Sequence, residues 1–516
     1  MLFNSYTFLL LFLPVTLLGF LVLKQAKFRV GLAWLVFSSL VYYGVWKPAG
    51  TEPDFLDRLL ETTRLWKFDP SGWSPKYLIL ILGSCTANYL LGRRLSRLKH
   101  SKPGRVLLGA GIAANLTLLG YYKYAGFLAA TATALTNWPG EIGKITLPLA
   151  ISFFTFLQIA YLVDAWKGET EEYHFTDYLL FVTFFPHLIA GPLIHHREMM
   201  PQFRLKRHGW HRDFPVGLGI FMAGMFKKVV IGDNMAPIAN PIFALAAGDG
   251  RMPTMAEAWV GAVAYALHLY FDFSGYSDMA IGSARMFGIR FPLNFHSPYK
   301  AVSIVEFWRR WHMTLSRFLR EYLYIPLGGN RKGQARRYVN LFLTMLLGGL
   351  WHGAGWTFVM WGALHGLYLC LNHAWSATGR KMWKPAAVLL TFIATLIGWV
   401  FFNSKSFGSA GKMLGSMFGV HGFDLMPEKA NRVIASVQPL WVGLALLACW
   451  LLPNTQEIFA RYKPALRVRG APYPAREPRH WWQWRPTAVF AAVSVAAIVV
   501  IGLQFDKVSE FIYFQF

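Results

Sequence analysis

Cysteine is scarce in this sequence. Only three cysteines occur among 516 residues. They are Cys85, Cys370 and Cys449, and each lies in an apolar stretch without a CxxC motif. This pattern excludes a disulfide framework and favours small core residues. The sequence also lacks HExxH and any Cys/His cluster, so it predicts no metal site and no permanently bound cofactor.

Acidic residues are also few, with 26 Asp and Glu against 51 Lys and Arg and a formal net charge of +25. In a soluble protein such a balance would suggest nucleic acid. Here 55% of the residues are hydrophobic, 21 are Trp, and the mean hydropathy is +0.35. The basic residues lie mainly in short segments between apolar runs, as expected of loops that face the cytoplasm. The expected partner is therefore the lipid bilayer and not nucleic acid.

The long apolar runs predict an all-α polytopic membrane protein of about 11 to 13 tilted transmembrane and re-entrant helices. One domain is expected to cover residues 1–516. Segment 93–105 carries six basic residues and no acidic residue, and segment 461–485 carries seven basic residues and one acidic residue. Both segments are therefore expected to be cytoplasmic. The loop 47–76 and Phe516 are expected to lie outside.

The segment 303–373 contains the candidate catalytic residues. Its first half predicts one amphipathic helix, with Phe307 and Phe318 on the apolar face and His312 at the edge of that face. Glu306 and Arg310 form an i,i+4 pair that would support this helix. Alternatively, His312 is simply an interfacial histidine next to lipid headgroups.

The second half of the segment is an almost wholly apolar run from 340 to 350, followed closely by His352 among glycines. An ionisable side chain at this depth is costly, so it is a functional hypothesis by default. A neutral imidazole there could act as a general base. The alternative is a core histidine bonded to a backbone carbonyl.

Two further polar groups interrupt apolar surroundings. Asp272 and Asp278 lie inside the apolar span YFDFSGYSD and need partners there. They either anchor helices by bonding to Arg or Tyr, or line a polar cavity near the histidines. Beyond the turn PLGGNR, four basic residues form a positive mouth that either binds phosphates of a donor or only sets the topology. These are Arg331, Lys332, Arg336 and Arg337.

The motifs FWRRWHMTLS, YIPLGGNR and LLGGLWHGA, together with LYFDFSGYSDMAIG and FFPHLIAGP, resemble the signature of the membrane-bound O-acyltransferase (MBOAT) family, nearest its alginate-acetylating bacterial branch. The resemblance implies a bundle of tilted helices with a narrow passage joining both membrane faces. It implies that His352 in the WHG motif is catalytic and that His312 takes the second active-site position. Trp308, Trp311 and Trp351, with the two aspartates, are expected to line the cavity.

The resemblance also implies a function. The expected activity is transfer of acetyl from a cytosolic donor, acetyl-CoA, across the bacterial inner membrane for O-acetylation of an exopolysaccharide, with alginate the first choice. A periplasmic acetyltransferase is the expected partner. Cellulose or another extracellular glycan is an alternative acceptor. Alternatives of another class are a transporter or flippase with histidines in its path, and a scaffold for polysaccharide export.

Overall fold

The computed structural model describes residues 3–44, 75–136, 143, 145–171, 173–204, 209–422, 438–468 and 480–505. Within these ranges the chain is helical and forms no β-strand, with one isolated bridge between Pro292 and Leu466. The all-α prediction is therefore confirmed. The loop 47–76 falls almost wholly outside the described residues, and Phe516 lies beyond them.

The α-helices are numbered in chain order. They are α1 Leu13–Ala26, α2 Phe28–Gly44, α3 Pro75–Arg97, α4 Lys102–Leu119, α5 Ala125–Thr136, α6 Ile151–Trp166, α7 Phe175–Thr183, α8 Phe185–Leu188, α9 His196–Met199, α10 Trp210–Met225, α11 Asp233–Ala247, α12 Met255–Met286, α13 Ile304–Arg310, α14 Met313–Leu319, α15 Gly333–His352, α16 Trp356–Ala377, α17 Lys384–Asn403, α18 Phe407–Met417, α19 Gln438–Leu451, α20 Thr455–Ile458 and α21 Ala488–Gly502. Short π-helical turns at Thr7–Phe12, Gly120–Tyr124, Phe226–Gly232 and Arg320–Tyr324 adjoin them.

Three helical stretches of the described chain are long and apolar enough to cross a bilayer, namely Thr7–Ala26, Trp210–Ala247 and Lys384–Asn403. Shorter apolar helices of 10–17 residues add to them. Such helices satisfy their backbone hydrogen bonds internally, as the hydrocarbon core of a membrane requires. The span count of about 11 to 13 stays a prediction, because several segments are shorter than the roughly 20 residues that a span needs.

The chain divides into two compact units. The first comprises Met1–Phe214 with Ser283–Phe291, and the second comprises Pro215–Gly282 with Pro292–Phe516. A single domain over the whole chain stays a prediction.

A buried polar cluster holds helices of the first unit together. Asn115 on α4 donates to Asn88 on α3 at 2.7 Å, and Asn88 also donates to Gln158 on α6. Ser84 donates to the same Gln158 side chain at 2.8 Å. Hydrogen bonds of this kind between side chains stabilise helix association where no water competes.

Glycines bring helices of the second unit into backbone contact. A Cβ atom added to Gly349 on α15 would lie 2.3 Å from the carbonyl oxygen of Phe358 and 2.9 Å from the Cα atom of Gly362 on α16. A Cβ on Gly362 would lie 2.4 Å from the carbonyl oxygen of Met345. Small residues permit this close approach of two membrane helices. The crossing lies one turn before His352 and so fixes the end of α15.

Candidate active site

The first half of the candidate catalytic segment is not one helix. Helix α13 ends at Arg310, His312 adopts a left-handed conformation with φ of 41°, and α14 begins at Met313. The prediction of a continuous amphipathic helix is therefore wrong. The loop after α12 interrupts it: Asn294 accepts the Met313 N–H at 2.9 Å, while His296 donates its N–H to the Arg310 carbonyl at 2.9 Å.

The predicted pair within α13 is present. Nη2 of Arg310 lies 2.7 Å from Oε1 of Glu306, and Nε of the same guanidinium donates at 3.0 Å. This ion pair is confirmed. It stabilises the last turn of α13 immediately before the break, although a partly exposed pair of this kind contributes little to stability.

His312 is completely buried, which corrects its predicted position at the edge of the apolar face. Its Nδ1 lies 3.1 Å from Oδ1 of Asn294. The ring of Phe273 on α12 meets the imidazole edge-on at 4.8 Å. His312 lies outside the candidate membrane-spanning helices, and burial lowers its pKa to about 3 because it penalises the charged imidazolium. The imidazole is therefore neutral.

The structure brings the two predicted catalytic histidines together. His352 is the last residue of α15 and is buried. Its ring centroid lies 6.5 Å from that of His312 and 5.0 Å from that of Trp361. The predicted cavity residue Trp351 lies beside it, with ring centroids 5.0 Å apart. Two imidazoles at this separation can both contact one small substrate group.

The other predicted tryptophans have different surroundings. Trp308 donates its indole N–H to Nδ1 of His365 at 3.3 Å and also lines a cavity. Trp311 packs between Phe307, at 5.7 Å and nearly parallel, and Trp399, at 5.0 Å. Trp311 thus packs among aromatic rings, whereas Trp308 lines the cavity.

That cavity has a volume of about 420 Å³ and lies within the second unit. Four arginines line it together with Trp308, Met313 and His373; they are Arg309, Arg317, Arg320 and Arg337. Met313 directly follows His312 in the chain, so one wall of the cavity adjoins His312, although neither His312 nor His352 lines the cavity itself. The cavity combines an apolar wall with a concentration of guanidinium groups that suits an anionic ligand.

Only one of the four predicted donor-binding residues lines this cavity. Arg337 does so, and its Nη2 lies 2.7 Å from Nδ1 of His373. Arg331, Lys332 and Arg336 are exposed and are not among its lining residues. Sequence reasoning missed three arginines that line the cavity: Arg309, Arg317 and Arg320. Their clustering around His312 was the available signal.

The two aspartates form ion pairs with lysines, where the sequence favoured Arg or Tyr. Oδ1 of Asp272 lies 2.7 Å from Nζ of Lys228, and the same Nζ lies 3.0 Å from Asp233. Oδ2 of Asp278 lies 2.7 Å from Nζ of Lys227. These pairs, the first of them fully buried, tie α12 to the turn after α10, which supports the anchoring interpretation.

Asp278 also binds the C-terminal part of the second unit. It accepts hydrogen bonds from Thr455 at 2.6 Å and from Gln456 at 3.2 Å. Helix α12 contacts His312 and its neighbour Asn294 through other residues: Phe273 packs against His312, and Ser277 accepts a hydrogen bond from Asn294 at 3.1 Å.

Comparison with known proteins shows the family of this chain. Residues 160–411 match the model of the MBOAT, membrane-bound O-acyltransferase family. The chain is 42% identical to the peptidoglycan O-acetyltransferase of Helicobacter pylori, with 100% of this chain and 98% of that protein covered. It is 37% identical to the probable alginate O-acetylase AlgI of Pseudomonas putida, with both chains covered in full. A teichoic acid D-alanyltransferase of Streptococcus thermophilus is 29% identical over 49% of this chain and 68% of its own length. This chain is a membrane protein and an O-acyltransferase, and it belongs to the membrane-bound O-acyltransferase family.

Proposed function

We propose that this protein transfers acetyl from a cytosolic thioester, acetyl-CoA, to a hydroxyl group, and that the acetyl group is finally attached to an extracytoplasmic glycan. The observation that carries the proposal is the pair of buried histidines, 6.5 Å apart between ring centroids, beside a cavity of about 420 Å³ lined by four arginines. Family membership favours an enzyme over the transporter and scaffold alternatives.

In the proposed step, His352 acts as the general base. Its imidazole takes the proton of the acceptor hydroxyl, and the oxygen attacks the thioester carbonyl so that a C–O bond forms. Collapse of the tetrahedral intermediate breaks the C–S bond. The imidazolium then returns the proton to the departing thiolate, which leaves His352 neutral again. His312 orients the acceptor or donor by hydrogen bonding.

The arginine-lined cavity is the proposed site of the donor. Guanidinium groups bind phosphate oxygens through charge-assisted, often bidentate hydrogen bonds. Arg317 is the best buried of the four arginines, with 8% of the residue exposed, so its charge is least screened by water. The exposed Arg331, Lys332 and Arg336 are proposed to attract the donor to the cavity and not to hold it.

We propose alginate as the acceptor, since relatives named as probable alginate O-acetylases match along the full chain. Peptidoglycan is a second candidate, because the relative named as a peptidoglycan O-acetyltransferase is 42% identical over 100% of this chain. Deleting the protein and measuring ester-linked acetate separately in secreted polysaccharide and in purified cell wall distinguishes the two. Loss confined to the cell wall would refute alginate.

The proposed location is the bacterial inner membrane, with several passes through it. The segments expected on the periplasmic side are short loops, too short to build a groove for a polysaccharide. We therefore propose that a periplasmic acetyltransferase completes the transfer to the polymer. Purified protein in liposomes, with acetyl-CoA inside and polymer outside, should acetylate the polymer only after that partner is added. Polymer acetylation by this chain alone would refute the relay, and absence of any acetyl consumption would refute the proposed donor.

A further inference from the structure

Asn294 lies at the centre of the hydrogen bonds around His312. It belongs to the loop after α12 and is completely buried. Its backbone carbonyl accepts the Met313 N–H at 2.9 Å. Its side-chain oxygen accepts from the Thr314 hydroxyl at 2.8 Å and from the Thr314 N–H at 3.4 Å, while its amide nitrogen donates to Ser277 at 3.1 Å.

These partners fix the orientation of the Asn294 amide. The backbone N–H of Thr314 can only donate, so the atom that faces it must be the amide oxygen and not the nitrogen. This N–H belongs to the first turn of α14, where helix geometry provides no acceptor. The amide oxygen therefore meets a structural need at the start of α14 as well as facing the imidazole.

The orientation of the amide in turn fixes the tautomer of His312. Nδ1 of the imidazole lies 3.1 Å from the amide oxygen. Because that oxygen can only accept, Nδ1 must carry a proton, and in the neutral ring Nε2 then has a free lone pair. Within the described part of the chain, Nε2 of His312 is buried and has no hydrogen-bond partner. A buried acceptor atom without a partner is costly unless a ligand completes it.

The surroundings also hold the ring in place. The ring centroid of Phe273 lies 4.8 Å away with the two planes nearly perpendicular, and that of Phe295 lies 6.3 Å away with an interplanar angle of 29°. The left-handed backbone of His312 is held by the same loop that carries Asn294. The ring therefore has one orientation, with Nδ1 bound to protein and Nε2 left for a substrate.

We propose that Asn294 is a positioning residue for acyl transfer: its amide oxygen holds His312 as the Nδ1–H tautomer, so that Nε2 accepts a hydrogen bond from an O–H or N–H group of the acceptor other than the reacting hydroxyl. This inference rests on the proposed function. His312 thereby orients the acceptor, while His352 removes the proton of the reacting hydroxyl. Asn294 acts through His312 and does not itself touch the substrate.

The first test reads the tautomer directly and does not depend on activity. Protein labelled with nitrogen-15 at histidine is examined by NMR, and the signal of His312 is assigned by its loss in His312→Asn. The wild type should show a protonated Nδ1 and an unprotonated Nε2, and Asn294→Leu should lose this preference. A protonated Nε2 in the wild type would overturn the proposal.

The second test separates positioning from a structural role. Asn294→Leu should lower kcat by about 10- to 100-fold, as expected for a displaced catalytic group, with little change in the donor KM. Asn294→Asp should keep most of the activity, because it retains an acceptor oxygen and the Ser277 hydroxyl can donate to it. Thr314→Val is the matched control, since it removes another bond to the same oxygen and leaves His312 bound; its kcat should stay near that of the wild type.

A double-mutant comparison completes the test. If Asn294 acts through His312, then adding Asn294→Leu to a protein that already carries His312→Asn should lower kcat by less than about twofold. Equal losses in both backgrounds, or failure of Asn294→Asp to keep activity despite a folded protein, would overturn the proposal. A wild type that has the Nδ1–H tautomer but consumes no acetyl-CoA would refute the proposed function alone, since the contact between Asn294 and His312 would stand.

Discussion

The crossing of α15 and α16 allows a sharp test of how His352 is positioned. In Gly349→Ala the new Cβ would lie 2.3 Å from a backbone carbonyl oxygen and 2.9 Å from a Cα atom. Neither atom belongs to a movable side chain, so the two helices must separate by about 1 Å to restore van der Waals contact. The matched control is Gly348→Ala, whose Cβ would meet only Cδ1 of the Leu319 side chain, at 3.2 Å.

The magnitudes follow from two opposing effects. Overpacking costs about 1–3 kcal/mol, and contact with backbone on two sides favours the upper end. Alanine in place of glycine in a helix raises the free energy of unfolding by about 1 kcal/mol. Gly349→Ala should therefore destabilise the protein by about 2 kcal/mol, whereas Gly348→Ala should be neutral or slightly stabilising. Because His352 follows Gly349 by one turn, a shift of about 1 Å should also lower kcat by up to about 100-fold.

The assay compares both variants in detergent by apparent thermal midpoint and by consumption of acetyl-CoA. We expect a lower midpoint and a lower kcat for Gly349→Ala only. Wild-type midpoint and activity in Gly349→Ala would refute the close-packed crossing. Equal losses in both variants would show that the glycines act through helix conformation and not through contact.

Three further predictions test other parts of the site. His312→Ala should be severely impaired in acetyl transfer, and His312→Asn should keep more activity because an amide can still form a hydrogen bond; equal loss in both would indicate proton transfer by His312. Arg317→Gln should raise the donor KM about tenfold or more, as expected for a lost charge-assisted hydrogen bond of about 1.5–3 kcal/mol. The control Arg336→Gln, at an exposed residue, should change the donor KM little. An unchanged KM in Arg317→Gln would refute the cavity as the donor site. In a chain without its native cysteines, Lys99→Cys should react with a membrane-impermeant reagent only from the cytoplasmic side, and labelling from outside would reverse the topology.

The end of α15 was predictable because its signals are local. An apolar run closes at His352 and glycines follow, so the sequence alone places an ionisable group at the end of a buried helix. The pairing with His312 came from the family resemblance, because the two residues lie on separate helical segments and no periodicity relates them. The structure then places their ring centroids 6.5 Å apart.

The break at His312 could not be predicted from its neighbours. The sequence FWRRWHMT contains no Gly or Pro, and its apolar spacing continues through the break. The helix is interrupted by Asn294 and His296, which compete for its backbone hydrogen bonds from a loop 14 or more residues away in sequence. Tertiary contacts here override local helix propensity.

Long-range contacts also explain the other differences. The lysine partners of Asp272 and Asp278 lie 44 and 51 residues earlier in the chain. The sequence shows that buried carboxylates need partners, but it cannot choose among basic residues so distant. Likewise, the arginines of the cavity come together only through the packing of α13, α14 and α15. The sequence alone therefore favoured the basic residues beyond PLGGNR, three of which do not line the cavity.

The most direct test of the central claim is the rate of labelled acetyl transfer from acetyl-CoA by purified wild-type protein and His352→Ala, with the periplasmic partner and acceptor present. We expect His352→Ala to lose about 100-fold or more of the rate, the usual contribution of general-base catalysis, with equal yield and thermal midpoint in the two proteins. Acetyl transfer by folded His352→Ala at the wild-type rate would contradict the assignment of His352 as the base.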